Sequence, residues 1–111
     1  METITRNEYL FHLKKIDKRE FIDENQYSDR YVKLGGAYCG LHHQKNKIVQ
    51  INGLFSLEKG DGSKLVKKLQ RKYQYLRLNC LGDKLESYYR KLGFKTYLHL
   101  RVYREMLWKR D

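Results

Sequence analysis

Between Lys59 and Lys64 the chain reads Lys-Gly-Asp-Gly-Ser-Lys, directly ahead of a helical pattern. Two glycines and a hydroxyl between two cations are suited to holding a phosphate. Gly60 and Gly62 allow a tight turn and a close backbone approach to a ligand, while the first turn of a helix offers unpaired N–H groups and the positive end of its dipole. Asp61 or Ser63 could instead cap an ordinary strand-to-helix connection, and the loop by itself does not separate the two readings. A second reactive pair is Tyr88 and Tyr89, whose phenols could give a proton to a leaving group. His42, His43 and Glu58 are the candidate general bases by type, histidine because it titrates near neutrality. Adjacent strand residues face opposite sides, so only one of the two histidines can look into a given cleft. Cys39 and Cys80 lie in strand-like runs without Cys-x-x-Cys spacing, which reads as two buried thiols rather than a disulfide or metal site. No metal is expected.

The groups that could do chemistry need a frame, and periodicity supplies one. A strand over residues 48–57 leads into the glycine loop. The helix after it buries Leu65, Val66, Leu69 and Tyr73 and turns Lys64, Lys67, Lys68, Arg71 and Lys72 outward. Alternation over 75–81, with Leu76, Leu78 and Cys80 on one face, predicts the parallel strand of a βαβ unit. A second helix follows, with Leu85, Tyr88, Tyr89 and Leu92 as its apolar stripe and Gly93 closing it. Upstream, Thr5-x-x-Glu8 is a capping-box signature for a helix over 6–16. Residues 17–30 are densely charged, with Phe21, Ile22 and Tyr27 as anchors, which suits a short helix and a loop. Strands at 31–34, 37–43 and 48–57 form an antiparallel meander, and the isolated Gly53 marks a bulge in the last of them. Strands at 94–100 and 105–109 complete a mixed α+β sheet.

Two of these segments, in order and at this spacing, resemble the GNAT (GCN5-related N-acetyltransferase) family. Its acetyl-CoA pyrophosphate loop commonly looks like Arg-Gly-x-Gly-Ile-Gly-Ser-x-Leu-Leu, and residues 59–66 fall in register with it. Residues 89–94, Tyr-Arg-Lys-Leu-Gly-Phe, match the family's Tyr-x-x-x-Gly-Phe helix. The resemblance covers residues 48–94. It implies one domain over 1–111 with a central, mostly antiparallel twisted sheet flanked by helices and a βαβ core that binds acyl-CoA. It further implies an N-acetyltransferase using acetyl-CoA, with Tyr89 as the acid for the thiolate and Tyr88 as the fallback. The cosubstrate would meet Leu54, Phe55, Ser56 and Leu57 along a slot beside the bulged strand. The loop residues Lys59, Gly60, Asp61, Gly62, Ser63 and Lys64, together with Asn79 and Tyr88, would complete its site. Leu57 stands where the family loop usually starts with Arg or Gln, and Asp61 puts a carboxylate near the expected pyrophosphate. Gly82 and Leu85 replace the family's Asn and Ala.

At 111 residues the chain is short for that family, and its formal net charge of +11 is extreme for this length. Coenzyme phosphates account for one basic patch. Arg101, Arg104, Lys109 and Arg110, with Lys45 and Lys47, lie away from the loop and point to a second anionic partner, a nucleic acid or an acidic protein. The same counts fit a merely solvated surface, and ten tyrosines fit a core as well as stacking platforms. A non-catalytic GNAT-like domain that binds such a partner is therefore the alternative to an enzyme. Without an apolar run long enough for a membrane, and with a polar start, a cytoplasmic protein is expected.

Overall fold

The computed structural model describes residues 1–16 and 26–111; the charged segment expected as a short helix falls largely outside them. Ten elements follow in the order β1 Glu2–Ile4, α1 Arg6–Leu13, β2 Arg30–Leu34, β3 Ala37–His43, β4 Ile48–Ser56, α2 Asp61–Lys72, β5 Tyr75–Leu81, α3 Asp83–Lys91, β6 Lys95–Leu100 and β7 Tyr103–Lys109. The strands make one seven-stranded sheet in the order β1-β2-β3-β4-β5-β7-β6. Every neighbouring pair is antiparallel except β4 and β5, so the architecture is mixed α+β. Among the described residues no helix is long and apolar enough to cross a membrane.

Strand alternation divides the core in two. Val32, Cys39, Leu41, Val49, Ile51, Leu76, Leu78 and Met106 pack with Leu65, Val66 and Leu69 of α2 and with Tyr89 and Phe94. Burying each of those three α2 side chains contributes about 1.5–3 kcal/mol. Ile4, Tyr38 and Phe55 pack with Tyr9 and Leu13 of α1 in a second cluster. The N-cap half of the capping box is present, with the Glu8 N–H donating to Thr5 Oγ1 at 3.1 Å, while the Glu8 carboxylate lies 3.8 Å from Lys33 Nζ. The helix ends at Leu13 rather than at residue 16, because the Ile16 N–H turns back to the Leu13 carbonyl at 3.2 Å and closes a tighter turn.

The feature that shapes the molecule lies in β4. Its parallel pairing with β5 runs from Ile48↔Tyr75 to Ile51↔Leu78 and stops. Beyond that point β4 stays with β3, while β5 continues to Leu81 along β7. The cause is the bulge predicted at Gly53. Between the rungs Gly40↔Asn52 and Tyr38↔Phe55, two residues of β4 stand against one of β3, and Gly53 takes φ +56°, which glycine adopts at little cost. The extra twist swings β4 away, and the sheet opens.

Helix α3 departs from its predicted stripe. Leu85 is exposed and Glu86 is buried, because Glu86 Oε1 accepts from Arg104 Nε at 3.2 Å beneath the helix. Arg104 also donates to Asp83 Oδ1 at 2.7 Å and is itself only 4% exposed. It fastens α3 to β7 and does not belong to a charged outer surface, contrary to the sequence expectation. A buried guanidinium must find carboxylates, and charge counting along a chain does not reveal that.

Candidate functional site

Where β4 leaves β5 there is a cavity of about 640 Å³. Gly53, Leu54 and Phe55 form one wall, and Asn79, Cys80 and Leu81 the other. Lys84, Leu85, Tyr88 and Tyr89 of α3 close it, with Ile16, Gln26 and Tyr103 completing the lining. The strand geometry thus gathers Leu54, Phe55, Asn79, Tyr88 and Tyr89 from the expected site around one space. Ser56 and Leu57 do not line it. The Ser56 hydroxyl donates to the Glu58 carbonyl, and the Leu57 N–H donates to the Gly36 carbonyl at 2.8 Å, so the strand end follows the β2–β3 turn away from the opening.

The glycine loop stands beside this gap. Gly60 takes φ +88° and leads directly into the first turn of α2, with nothing within 4 Å of where a Cβ would stand. The Asp61 N–H bonds to the Glu58 carbonyl and the Lys64 N–H to the Gly60 carbonyl. The N–H groups of Gly62 and Ser63, between those two, have no acceptor among the described residues. Free donors at the positive end of a twelve-residue helix are groups to which an anion can bind. The Asp61 carboxylate is not directed into that site. Its Oδ2 accepts from the Gly36 N–H at 2.8 Å, and a Cβ on Gly35 would collide with it. Asp61 therefore ties α2 to the β2–β3 turn. Lys64 Nζ lies 3.8 Å from Asp61 Oδ1, and its side chain is otherwise exposed; Lys59 is exposed as well.

The two tyrosines have different surroundings. Tyr88 shares a hydrogen bond with Ser63 Oγ at 2.9 Å and so bridges α3 to the glycine loop. Tyr89 packs edge-on against Tyr88 and Phe94 and lines the cavity, and its hydroxyl makes no hydrogen bond among the described residues. Burial pushes its pKa far above the ordinary phenol value, so it keeps its proton. Cys80 also reaches the cavity, and burial, then Glu86, push its thiol up to about 11. Cys39 and Cys80 are free and buried.

None of the three candidate bases reaches this space. His43 pairs with Val49, toward the far end of β4, and its Nδ1 lies 2.7 Å from Asp29 Oδ1. Burial opposes the charge on Asp29, but hydrogen bonds from the His43 backbone and ring outweigh it and lower its pKa. His42 stacks edge-on with Tyr27, and Glu58 is exposed in the loop.

Sequence reasoning missed Lys84, Leu85 as a cavity wall, and Tyr103. Tyr103 arrives only through its pairing with Leu81 across β5 and β7, which no local spacing encodes. The Tyr103 hydroxyl donates to Glu105 Oε1 at 2.7 Å; burial, then that bond, push the phenol up to about 12. Asn79 stands out among the lining groups, since its Oδ1 is buried without a hydrogen-bond partner among the described residues. No protein-family model matches this chain, and no curated protein matches it either.

Proposed function

We propose that the chain is a GNAT-like domain that binds acetyl-CoA and transfers its acetyl group to an amine. One observation carries the reading: β4 parts from β5 beside a helix whose first turn has free N–H donors. An extended thioester arm fits a gap between parted strands, and a pyrophosphate fits the N–H groups of Gly62 and Ser63 with Lys59 and Lys64 nearby. The two sites adjoin through the Ser63–Tyr88 hydrogen bond. In the proposed reaction the neutral amine nitrogen attacks the thioester carbonyl, a C–N bond forms and the C–S bond breaks. The departing thiolate takes the proton of the Tyr89 phenol, and the proton lost by the amine passes to water, from which the Tyr89 phenolate is reprotonated. Backbone N–H groups that β4 no longer shares with β5 are available to the carbonyl oxygen.

The test is calorimetry of the full chain with acetyl-CoA and with CoA. Binding is expected for both, and Gly62→Val, which crowds the space between Tyr88 and Ser56, should abolish it. No heat with either ligand at millimolar concentration would defeat the assignment. Binding without transfer to any amine would leave the non-catalytic domain, a reading favoured by the lack of a histidine or carboxylate on the cavity wall among the described residues.

A further inference from the structure

At the opposite end of the β4–β5 pairing lies a second concavity of about 340 Å³, lined by His43, Gln44, Lys47, Ile48, Val49, Lys72, Tyr73, Gln74 and Arg110. Three cations meet there, and among the described residues no carboxylate lines it. Lys47 and Lys72 make no ion pair among the described residues. Arg110 is held in place by donating to the Gln70 and Arg71 carbonyls at the end of α2, which leaves the rest of its guanidinium for another acceptor. Lys47 is presented by an unusual backbone: Asn46 and Lys47 are consecutive non-glycine residues at φ +63° and +62°. The tight turn that joins antiparallel β3 to β4 requires this backbone, and it places Lys47 on the rim of the concavity.

The wall also carries a ring. Tyr73 is partly exposed, with Lys72 Nζ 5.5 Å from its centroid and its hydroxyl 3.3 Å from His43 Nε2. Its position is therefore fixed from both sides, with the His43 ring edge-on to it, and a phosphate that draws Lys72 Nζ off the ring uncovers that face for a base. Cations grouped beside a steadied aromatic ring, with the amides of Gln44 and Gln74 at the margin, match a phosphate ester joined to a flat heterocycle. An acidic protein would meet the cations with carboxylates, a pairing that makes no use of the ring.

We propose that this concavity binds a nucleotide unit, its phosphate on Lys47, Lys72 and Arg110 and its base against Tyr73. Of the cations assigned from sequence to an anionic partner, Lys47 and Arg110 take part and the buried Arg104 does not. The site is separate from the glycine loop and does not depend on acetyl transfer.

The experiment is fluorescence anisotropy of the full chain with a labelled short oligothymidylate across a range of salt. Binding should weaken as salt rises. The double variant Lys47→Glu/Lys72→Glu should lose about tenfold or more in affinity and lower the salt slope by about 2. Tyr73→Ala should weaken binding with the slope unchanged. Competition by thymidine monophosphate at comparable concentration would identify a free nucleotide as the ligand, and its failure to compete would identify a strand. Lys67→Glu/Lys68→Glu, on the exposed side of α2, serves as the control. Equal losses in the two double variants would mean that net charge alone attracts the oligonucleotide, and would overturn the site. Undiminished binding in Lys47→Glu/Lys72→Glu would do the same. Circular dichroism of each variant separates lost binding from lost folding.

Discussion

Tyr89 has the surroundings of a protonated donor and Tyr88 those of a strut. Burial keeps the Tyr89 phenol protonated and its residue lines the cavity, where the proposed reaction brings the departing sulfur. Tyr89→Phe should therefore lower turnover by about 10²–10⁴-fold while leaving the affinity for acetyl-CoA nearly unchanged, as steady-state kinetics beside calorimetry would read. Tyr88→Phe should do the reverse, weakening acetyl-CoA through loss of the Ser63 contact, with a smaller effect on the chemical step. The helical spacing shows both rings in the sequence and both reach the cavity, but which hydroxyl finds a partner, Tyr88 with Ser63, is fixed only by packing. Asp61 teaches the same lesson. Its charge and its place in the loop are legible, yet its target, the Gly36 N–H, belongs to a turn that only the folded sheet brings alongside.

At the scale of elements, local pattern was sufficient for the β3–β4 meander, the β4–α2–β5 unit and the bulge at Gly53. It did not foresee β1, since three residues carry too little alternation to be read as a strand. It also misjudged the face of α3, where Leu85 and Glu86 exchange the expected roles. The Glu86 carboxyl is held below the usual range by the Thr96 hydroxyl first, then by Arg104 and Arg90, against the cost of its burial. A carboxyl with a depressed folded pKa contributes stability that is present above its unfolded pKa. That contribution is lost as pH falls through the folded value. Acid should accordingly loosen α3 from β7, and Glu86→Gln should lower the thermal midpoint near neutrality while flattening its decline in acid. Melting curves across pH check this. A variant as steep in acid as the parent would assign the decline to other carboxyls.

Across the whole molecule, the net charge of +11 sets every surface cation against its neighbours. Self-repulsion opposes compactness, and counterions relieve it. Raising salt from about 20 to about 200 mM, which shortens the screening length to below about 10 Å, should raise the thermal midpoint by a few degrees, as calorimetric scans would show. Among the described residues the sheet has two free edges. β1 is three residues long, but β6 runs for six and carries Tyr97 and Leu100, each more than half exposed. An open edge with apolar side chains is a template on which another copy can add a strand. Like charge keeps copies at a distance in dilute buffer, so the salt that firms each molecule also removes the barrier between molecules, and aggregation through β6 becomes the cost of the added stability.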